Sequence, residues 1–197
     1  LADAQPSARW SHPDWWIDRL QVQHPASWQG ILQASLLHPP FTLRVNRRHG
    51  DVAGTLQRLS EAGLSAHQTG PDAVTLDRAV PVHSLPGFDE GHVSVQDAGA
   101  QWAARLLDAQ PGERVLDACA APGGKSGHIL ERADVDLTAL DVDVARLGRV
   151  QDNLDRLHLT ATVRAGDAAQ PEIWWDGRPF DRILADVPCS ASGVVRR

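Results

Sequence analysis

The chain has 197 residues, with 19 Lys and Arg against 25 Asp and Glu, a formal net charge of −6, 42% hydrophobic and 22% charged residues. This balance excludes a disordered or collagen-like segment; no stretch approaches the ~20 apolar residues that span a bilayer, and no secretory signal opens the sequence, so a cytoplasmic protein with no membrane partner is expected. Cys119 and Cys189 stand 70 residues apart with no CxxC pairing, which argues against a zinc site or a disulfide framework, and no metal is expected. The first residue is Leu1, methionine is absent, and the last residues are Arg196-Arg197; an internal piece of a longer protein is expected.

Taken in chain order, Pro13 to Leu37 reads as two helices. Trp15, Trp16, Ile17 and Leu20 form one apolar set, and Trp28, Ile31, Leu32 and Leu36 recur at helical spacing. Pro39-Pro40 ends that region, and Phe41 to Asn46 alternates as a strand. Asp51 is placed to cap a helix through about Ala62, closed by Gly63. Short strand-like pieces follow at Ala73–Leu76 and His92–Val95. Strand, helix and strand suggest a small α/β module over residues 1–87, ending near Pro86-Gly87. Arg44, Arg47, Arg48 and His49 cluster within six residues; such a cluster is either a solvated face or a set of phosphate contacts.

From Gln96 the rhythm changes to alternating helices and strands, expected to run over residues 88–197. A helix from Asp97 to Leu107 precedes a strand at Arg114–Ala118, a Gly-rich turn and a helix from Gly124 to Arg132. Leu137–Asp141, Thr160–Arg164 and Arg182–Asp186 read as three further strands. Val144–Leu157 reads as the intervening helix, with Leu147, Val150 and Leu154 facing the core. This alternation predicts a parallel α/β sheet covered on both faces, with a ligand outside the carboxyl ends of its strands.

The turn Asp117-Ala-Cys-Ala-Ala-Pro-Gly-Gly-Lys-Ser126 is the sharpest signal. Glycine lets the backbone approach a ligand closely, and the helix that follows offers free amides to an anionic or carbonyl oxygen. Asp141 ends the second strand 17 residues after Gly124, where an acid accepts hydrogen bonds from ribose hydroxyls. A tight turn with an N-cap acid is the plain alternative. A dinucleotide site requires G-x-G-x-x-G, which is absent. A P-loop requires G-x-x-x-x-G-K-[ST], and Cys119 replaces its first glycine. Strand end, glycine turn and second-strand acid together fit S-adenosylmethionine (SAM). The second signal is Asp186-Val-Pro-Cys-Ser190 at the fourth strand's end. A cysteine there, where amino-group methylases place an Asn/Asp-Pro-Pro-aromatic sequence, points to methylation of a pyrimidine carbon. C5 of cytosine becomes nucleophilic once a thiolate adds to C6. Equally, a lone Cys after Pro is often a small buried residue.

Cys119-Ala120-Ala121-Pro122-Gly123-Gly124-Lys125, Asp141-Val-Asp143, Gly166-Asp167 and Asp186 to Arg197 together resemble the RNA cytosine-5 methyltransferases of the NOL1/NOP2/Sun group. Within the group, the resemblance is to bacterial members that methylate a cytosine of 16S ribosomal RNA. It extends upstream through Leu85–Asp97 and Pro40–Asn46, covering nearly the whole chain. It implies a Rossmann-like SAM-dependent methyltransferase domain, truncated after its fourth strand, behind a small α/β RNA-binding module. Cys119, Ala120, Ala121, Pro122, Gly123, Gly124 and Lys125 are then expected to line the cofactor pocket. Asp141 would hold the ribose, Asp167 would lie by the adenine, and Asp186 between cofactor and target base, while Gln96-Asp97 would help close the site. Cys189 matches the cysteine that assists release of the methylated base. The group's nucleophile sits in a Thr-Cys sequence after a fifth strand, and the chain has no such sequence. The resemblance also favours Arg44, Arg47 and Arg48 as phosphate contacts.

Two other readings stand beside this one: Cys189 as the nucleophile itself, as Pro-Cys is in DNA cytosine-5 methylases, or a module that only binds RNA or cofactor. A monomer is expected, and a sheet ending at its fourth strand is expected to be weakly stable by itself.

Overall fold

The computed structural model describes residues 6–189 and begins with three short helices, α1 (Pro6–Trp10), α2 (Asp14–Gln23) and α3 (Trp28–Leu36). Trp10, Ile17, Leu20 and Leu32 are buried together, with Trp16 and Trp28 packed against them. Trp10 meets Trp28 edge-to-face, ring centroids 5.4 Å apart, the arrangement favoured by the aromatic quadrupole. Trp15, expected in that apolar set, is 56% exposed, because the buried side of α2 is carried by Ile17 and Leu20. These helices belong to a compact unit distinct from the unit Pro40–Val187.

The larger unit holds two sheets. The first is built from β1 (Phe41–Val45), α4 (Val52–Glu61), β2 (Ala66–Gln68), β3 (Ala73–Leu76), a single 3₁₀ turn at Val82–Ser84, and β4 (Val93–Val95). Its order is β2-β3-β1-β4, and every pairing is antiparallel. Asp51 caps α4 as expected, its carboxylate accepting from Gly54 N at 2.8 Å, and Gly63 closes the helix with φ +73°. Leu43, Val45, Leu59, Val74, Leu76, Leu85 and Val93 form the core of this layer. β2 was not foreseen, since Ala-His-Gln carries no alternating apolar signal and pairs only because β3 lies beside it. The boundary expected near Gly87 falls within the connectivity of this sheet: Val93–Val95 lies beyond it and pairs with Leu43–Val45. Pro86-Gly87 opens a tight turn, with Gly87 at φ +81° and its carbonyl taking His92 N at 2.8 Å.

The second sheet is parallel. It contains β5 (Arg114–Asp117), β6 (Asp136–Asp141), β7 (Thr162–Ala165) and β8 (Arg182–Leu184), in the order β7-β6-β5-β8. α5 (Trp102–Leu107), α6 (Gly124–Arg132) and α7 (Val144–Arg156) alternate with these strands, and α8 (Pro171–Trp174) is one turn before β8. Val115, Ile129, Leu137, Ala139, Val150 and Leu154 are buried between one sheet face and these helices. Leu116, Ala118 and Leu140 meet Trp174 and Phe180 on the other. The α/β expectation therefore holds, with both faces carrying apolar packing.

Most boundaries fall within a residue of expectation, and three moved further. α5 starts at Trp102 rather than Asp97, because Asp97 turns its carboxylate onto Gly99 N at 2.7 Å and Ala100 N at 3.3 Å, forming a turn around Gly99 before the helix begins. β7 runs two residues later at its start than expected, and β8 ends at Leu184, where its pairing with β5 ends.

Candidate functional site

Parallel strands put the last residue of each on one edge of the sheet. Asp117 ends β5 and Asp141 ends β6; Asp167 follows β7 by two residues and Asp186 follows β8 by two. Backbone hydrogen bonds continue past the strands: Ala118 N to Leu184 O at 2.8 Å, Ala120 N to Leu140 O at 2.9 Å, Gly166 N to Asp141 O at 3.1 Å. Four acids thus share the carboxyl edge, where β5 is flanked by β6 and β8 and the strand order reverses, the position at which open α/β sheets bind ligands.

The turn between β5 and α6 crosses this edge. Ala120 is buried, Cys119 and Ala121 are half-buried, and Pro122 is exposed after a cis Ala121–Pro122 bond. Gly123 has φ +97°, and a Cβ there would stand 3.1 Å from Val150 Cα of α7. The turn therefore requires glycine for conformation and for the approach of α7. Gly124 and Lys125 open α6, both half-buried. Asp141, 5% exposed, accepts from Ala121 N and from Asp143 N, each at 3.0 Å, so it holds the turn against the end of β6. A carboxylate has about four acceptor sites, which leaves capacity on Asp141 for a ligand hydroxyl. Lys125, the only lysine of the chain, pairs with Asp186. Asp167 is exposed; its Oδ1 accepts from Ala169 N at 2.9 Å and its carbonyl from Trp174 Nε1 at 2.7 Å.

Asp117 opens the turn, and the residues around it in the sequence do not by themselves mark it as a site residue. It is 1% exposed; Oδ2 accepts from Ser126 Oγ at 2.7 Å, whereas Oδ1 is buried without a partner among the described residues. Burial pushes its carboxyl above the ordinary range, against the opposing pull of the Ser126 hydroxyl, the Cys119 backbone amide and the Lys125 charge. An unpartnered buried acceptor beside a bare glycine turn is costly unless something donates to it. An acid closing the apolar run Val115-Leu116 was the available signal. Burial, and then the carboxylates of Asp141, Asp117 and Asp186, push the Cys119 thiol up. Cys119 is therefore not set up as a thiolate.

The arginine cluster corrects an expectation. Arg44 is 0% exposed and cannot meet an RNA phosphate. Its Nε and Nη2 grip Glu131 at 2.8 and 2.6 Å, and Nη1 donates to Gln96 Oε1 at 2.8 Å and to Gly124 O at 2.7 Å. The reason is positional: Arg44 pairs with Ala73 and Ser94 in the middle of its sheet, and its side chain meets α6. Arg48 donates from Nε to Leu130 O at 3.0 Å near the end of α6. Arg47 pairs with Asp72 but remains 55% exposed; Arg105 joins the same carboxylate at 2.7 Å. His128 is 2% exposed, its Nδ1 without a partner among the described residues, and burial first, then Arg44, lowers its pKa to about 2.

Cys189 is exposed and is the last described residue; it falls in the smaller unit. Ser190 to Arg197, which carry the rest of the expected motif, lie outside the described residues.

A parallel sheet in this order, with a glycine turn after its first strand and acids at the ends of its strands, defines a Rossmann-like methyltransferase fold. Residues 104–197 match the family model for the 16S rRNA methyltransferase RsmB/F, and residues 12–83 match the ferredoxin-like domain of RsmF/B-like methyltransferases. Both models describe methyltransferases of the RsmB/F type, one matching each of the chain's two sheet-bearing regions. The chain is 52% identical to ribosomal RNA small subunit methyltransferase B of Salmonella arizonae, covering 98% of this chain and 46% of the relative. The chain thus spans about half the length of the curated relatives it matches. It is also similar to the crystal structure of PH0851 (TM-score 0.87, 27% identity, 96% of this chain and 44% of that one). A methyltransferase homolog protein from Pyrococcus horikoshii gives a TM-score of 0.83 at 29% identity, over 97% of this chain and 64% of that one. The small sheet agrees with the ferredoxin-like model: read from its far edge, the order is 4-1-3-2, with the second helix reduced to the turn at Val82–Ser84.

Proposed function

We propose that the protein containing this chain transfers a methyl group from SAM to C5 of a cytosine in 16S ribosomal RNA. The observation that carries the cofactor is the carboxyl edge, where a glycine turn, an unpartnered buried carboxylate oxygen and three further acids converge. These residues fit a cofactor that is a nucleoside at one end and an amino acid at the other. Cys119, Ala120, Ala121, Pro122, Gly123, Gly124 and Lys125 line it. Asp117 Oδ1 accepts from its amino-acid part, Asp141 from the ribose hydroxyls, and Asp167 lies by the adenine. When bound, SAM supplies a methyl group on a positively charged sulfur, and an acidic edge favours that charge. Asp186 lies between cofactor and base, and its pairing with Lys125 orients its carboxylate. Cys189 assists release of the methylated base, and the nucleophile is a cysteine outside these 197 residues.

The 16S ribosomal RNA target rests on the 52% identity to small subunit methyltransferase B. Arg47 and Arg48, each with one guanidinium nitrogen engaged and the residue exposed, are the RNA phosphate contacts in this reading. The protein is a cytoplasmic monomer that uses no metal; among the described residues no helix is long and apolar enough to cross a membrane. The test is methyl-labelled SAM given to the intact protein with unmodified small-subunit RNA. Label recovered as 5-methylcytidine is expected, and label in adenosine or in protein overturns the reading.

A further inference from the structure

The side chain that leaves the RNA-facing set has a different task. We propose that Arg44 is a positioning residue for the cofactor turn, through which the antiparallel sheet sets the affinity for SAM. The inference rests on the SAM reading above and adds a residue from outside the parallel sheet.

Arg44 arrives from the centre of β1, and its donors divide into two sets. Nε and Nη2 form a bidentate pair with Glu131 in the last turn of α6. Nη1 goes instead to the first turn of the same helix, to Gly124 O at 2.7 Å, and to Gln96 Oε1 at 2.8 Å. One guanidinium therefore grips both ends of the nine-residue α6. Securing Glu131 needs only the first set. The second set acts on the turn, because Gly124 belongs to the Pro-Gly-Gly-Lys stretch.

The peptide plane says what holding that carbonyl does. The Gly124–Lys125 peptide is planar, so fixing the direction of Gly124 C=O fixes the opposite direction of Lys125 N–H. That amide is one of the first unpaired donors of α6 and points out of the helix N-terminus, where a ligand oxygen is received. Lys125 continues the line through its side chain to Asp186. Gln96 is itself held from the small sheet's side, since Gln101 Nε2 donates to Gln96 O at 3.1 Å and to Leu43 O at 3.4 Å. The turn is thus bounded by Asp141 from one side, through Ala121 N, and by Arg44 from the other, through Gly124 O. A lysine at position 44 supplies charge but no planar fork, so it cannot satisfy Glu131 and Gly124 together.

Coupling of this kind is reciprocal: if the small sheet orders the turn for cofactor, cofactor must stabilise the small sheet. The intact protein is titrated with SAM calorimetrically as wild type, Arg44→Lys and Leu59→Ala. Leu59 lies in the core of the small sheet, 1% exposed, so its truncation lowers the melting temperature without touching the turn. Arg44→Lys is expected to weaken SAM binding about tenfold, the size of one lost charge-assisted hydrogen bond, with Leu59→Ala within about twofold of wild type. Arg44→Lys binding as wild type does, or Leu59→Ala weakening SAM as much, overturns the proposal. A wild type that binds no SAM overturns the cofactor reading, and this inference with it. If Arg44→Lys does not fold, amide hydrogen exchange of Phe41–Val45 in the wild type decides. Slower exchange on adding SAM supports the coupling, and unchanged exchange refutes it.

Discussion

The two ends of the parallel sheet are both crowded with charge, yet they treat it in opposite ways. At the amino end Arg114 gathers its neighbours on the surface. It reaches Asp136 at 3.4 Å, Asp176 at 3.0 Å and the carbonyl of Arg178 at 2.7 Å, while its guanidinium covers the Phe180 ring at 4.9 Å. A cavity of about 190 Å³ lies beside it, lined among others by Thr138, Arg164 and Trp175. At the carboxyl end Asp117 and Asp141 are nearly sealed from solvent, and one oxygen of Asp117 has no partner among the described residues. Where charges are answered within the chain, as around Arg114, they are architecture. Where a buried carboxylate oxygen lacks a donor among the described residues, folding alone gains nothing from it, and the proposed cofactor would supply that donor.

The largest effect that sharpens this contrast is expected from Asp117→Asn. Losing a charged acceptor costs about 1.5–3 kcal/mol, or roughly 10- to 150-fold in SAM affinity by calorimetric titration. Stability without cofactor should not fall. The folded-state pKa of Asp117 is raised by burial, so the stability linked to its proton is present below the ordinary carboxylate value and is lost as pH rises through the folded value. Asn carries no charge to desolvate, so the substitution removes that burden. A urea midpoint that drops at pH 7 while SAM affinity stays unchanged would make Asp117 architecture after all.

Gly123→Ala comes next. A φ of +97° and a Val150 Cα at 3.1 Å make any side chain strained, at a cost of about 1–3 kcal/mol in urea unfolding. An unchanged midpoint would show that the turn and α7 adapt freely. His128→Leu tests the core beneath the turn through pH. Its folded pKa of about 2 lies below the ordinary 6.5, so the stability linked to neutral His128 is complete above 6.5 and drains as pH falls. The wild type should lose roughly 1 kcal/mol per pH unit relative to the Leu variant between pH 6.5 and 5. Parallel stability curves would mean that His128 takes up its proton in the folded state.

The smallest effect is expected at the other end. Arg114→Ala should cost about 1 kcal/mol, since both of its carboxylate partners are about half exposed, and leave SAM affinity within about twofold. A large affinity loss there would erase the distinction between the two ends.

Much of the parallel layer was legible. α6 begins at Gly124 and ends at Arg132 as its pattern foretold, and Val150 and Leu154 of α7 are completely buried at their expected spacing. Short apolar strands bounded by turns announce themselves, because burial on both faces leaves little freedom of composition. The antiparallel layer was harder. Ala66–Gln68 has no strand signature, and Val93–Val95 rejoins β1 across a turn that reads as a boundary. Arg44 was the plainest miss: a cluster of arginines looks alike in sequence whether it faces water or a helix.

The amino-acid sequence by itself determined the alternation of strands and helices, the glycine turn, and the acids at the strand ends, because each depends on neighbours a few residues away. The tertiary structure decided which of those acids lacks a partner and where the arginines point. Arg44 and Glu131 are 87 residues apart in sequence, and only the packing of α6 against the antiparallel sheet makes one the counter-ion of the other. The same packing brings a residue of the small sheet onto the carbonyl of Gly124, a contact that no local pattern encodes.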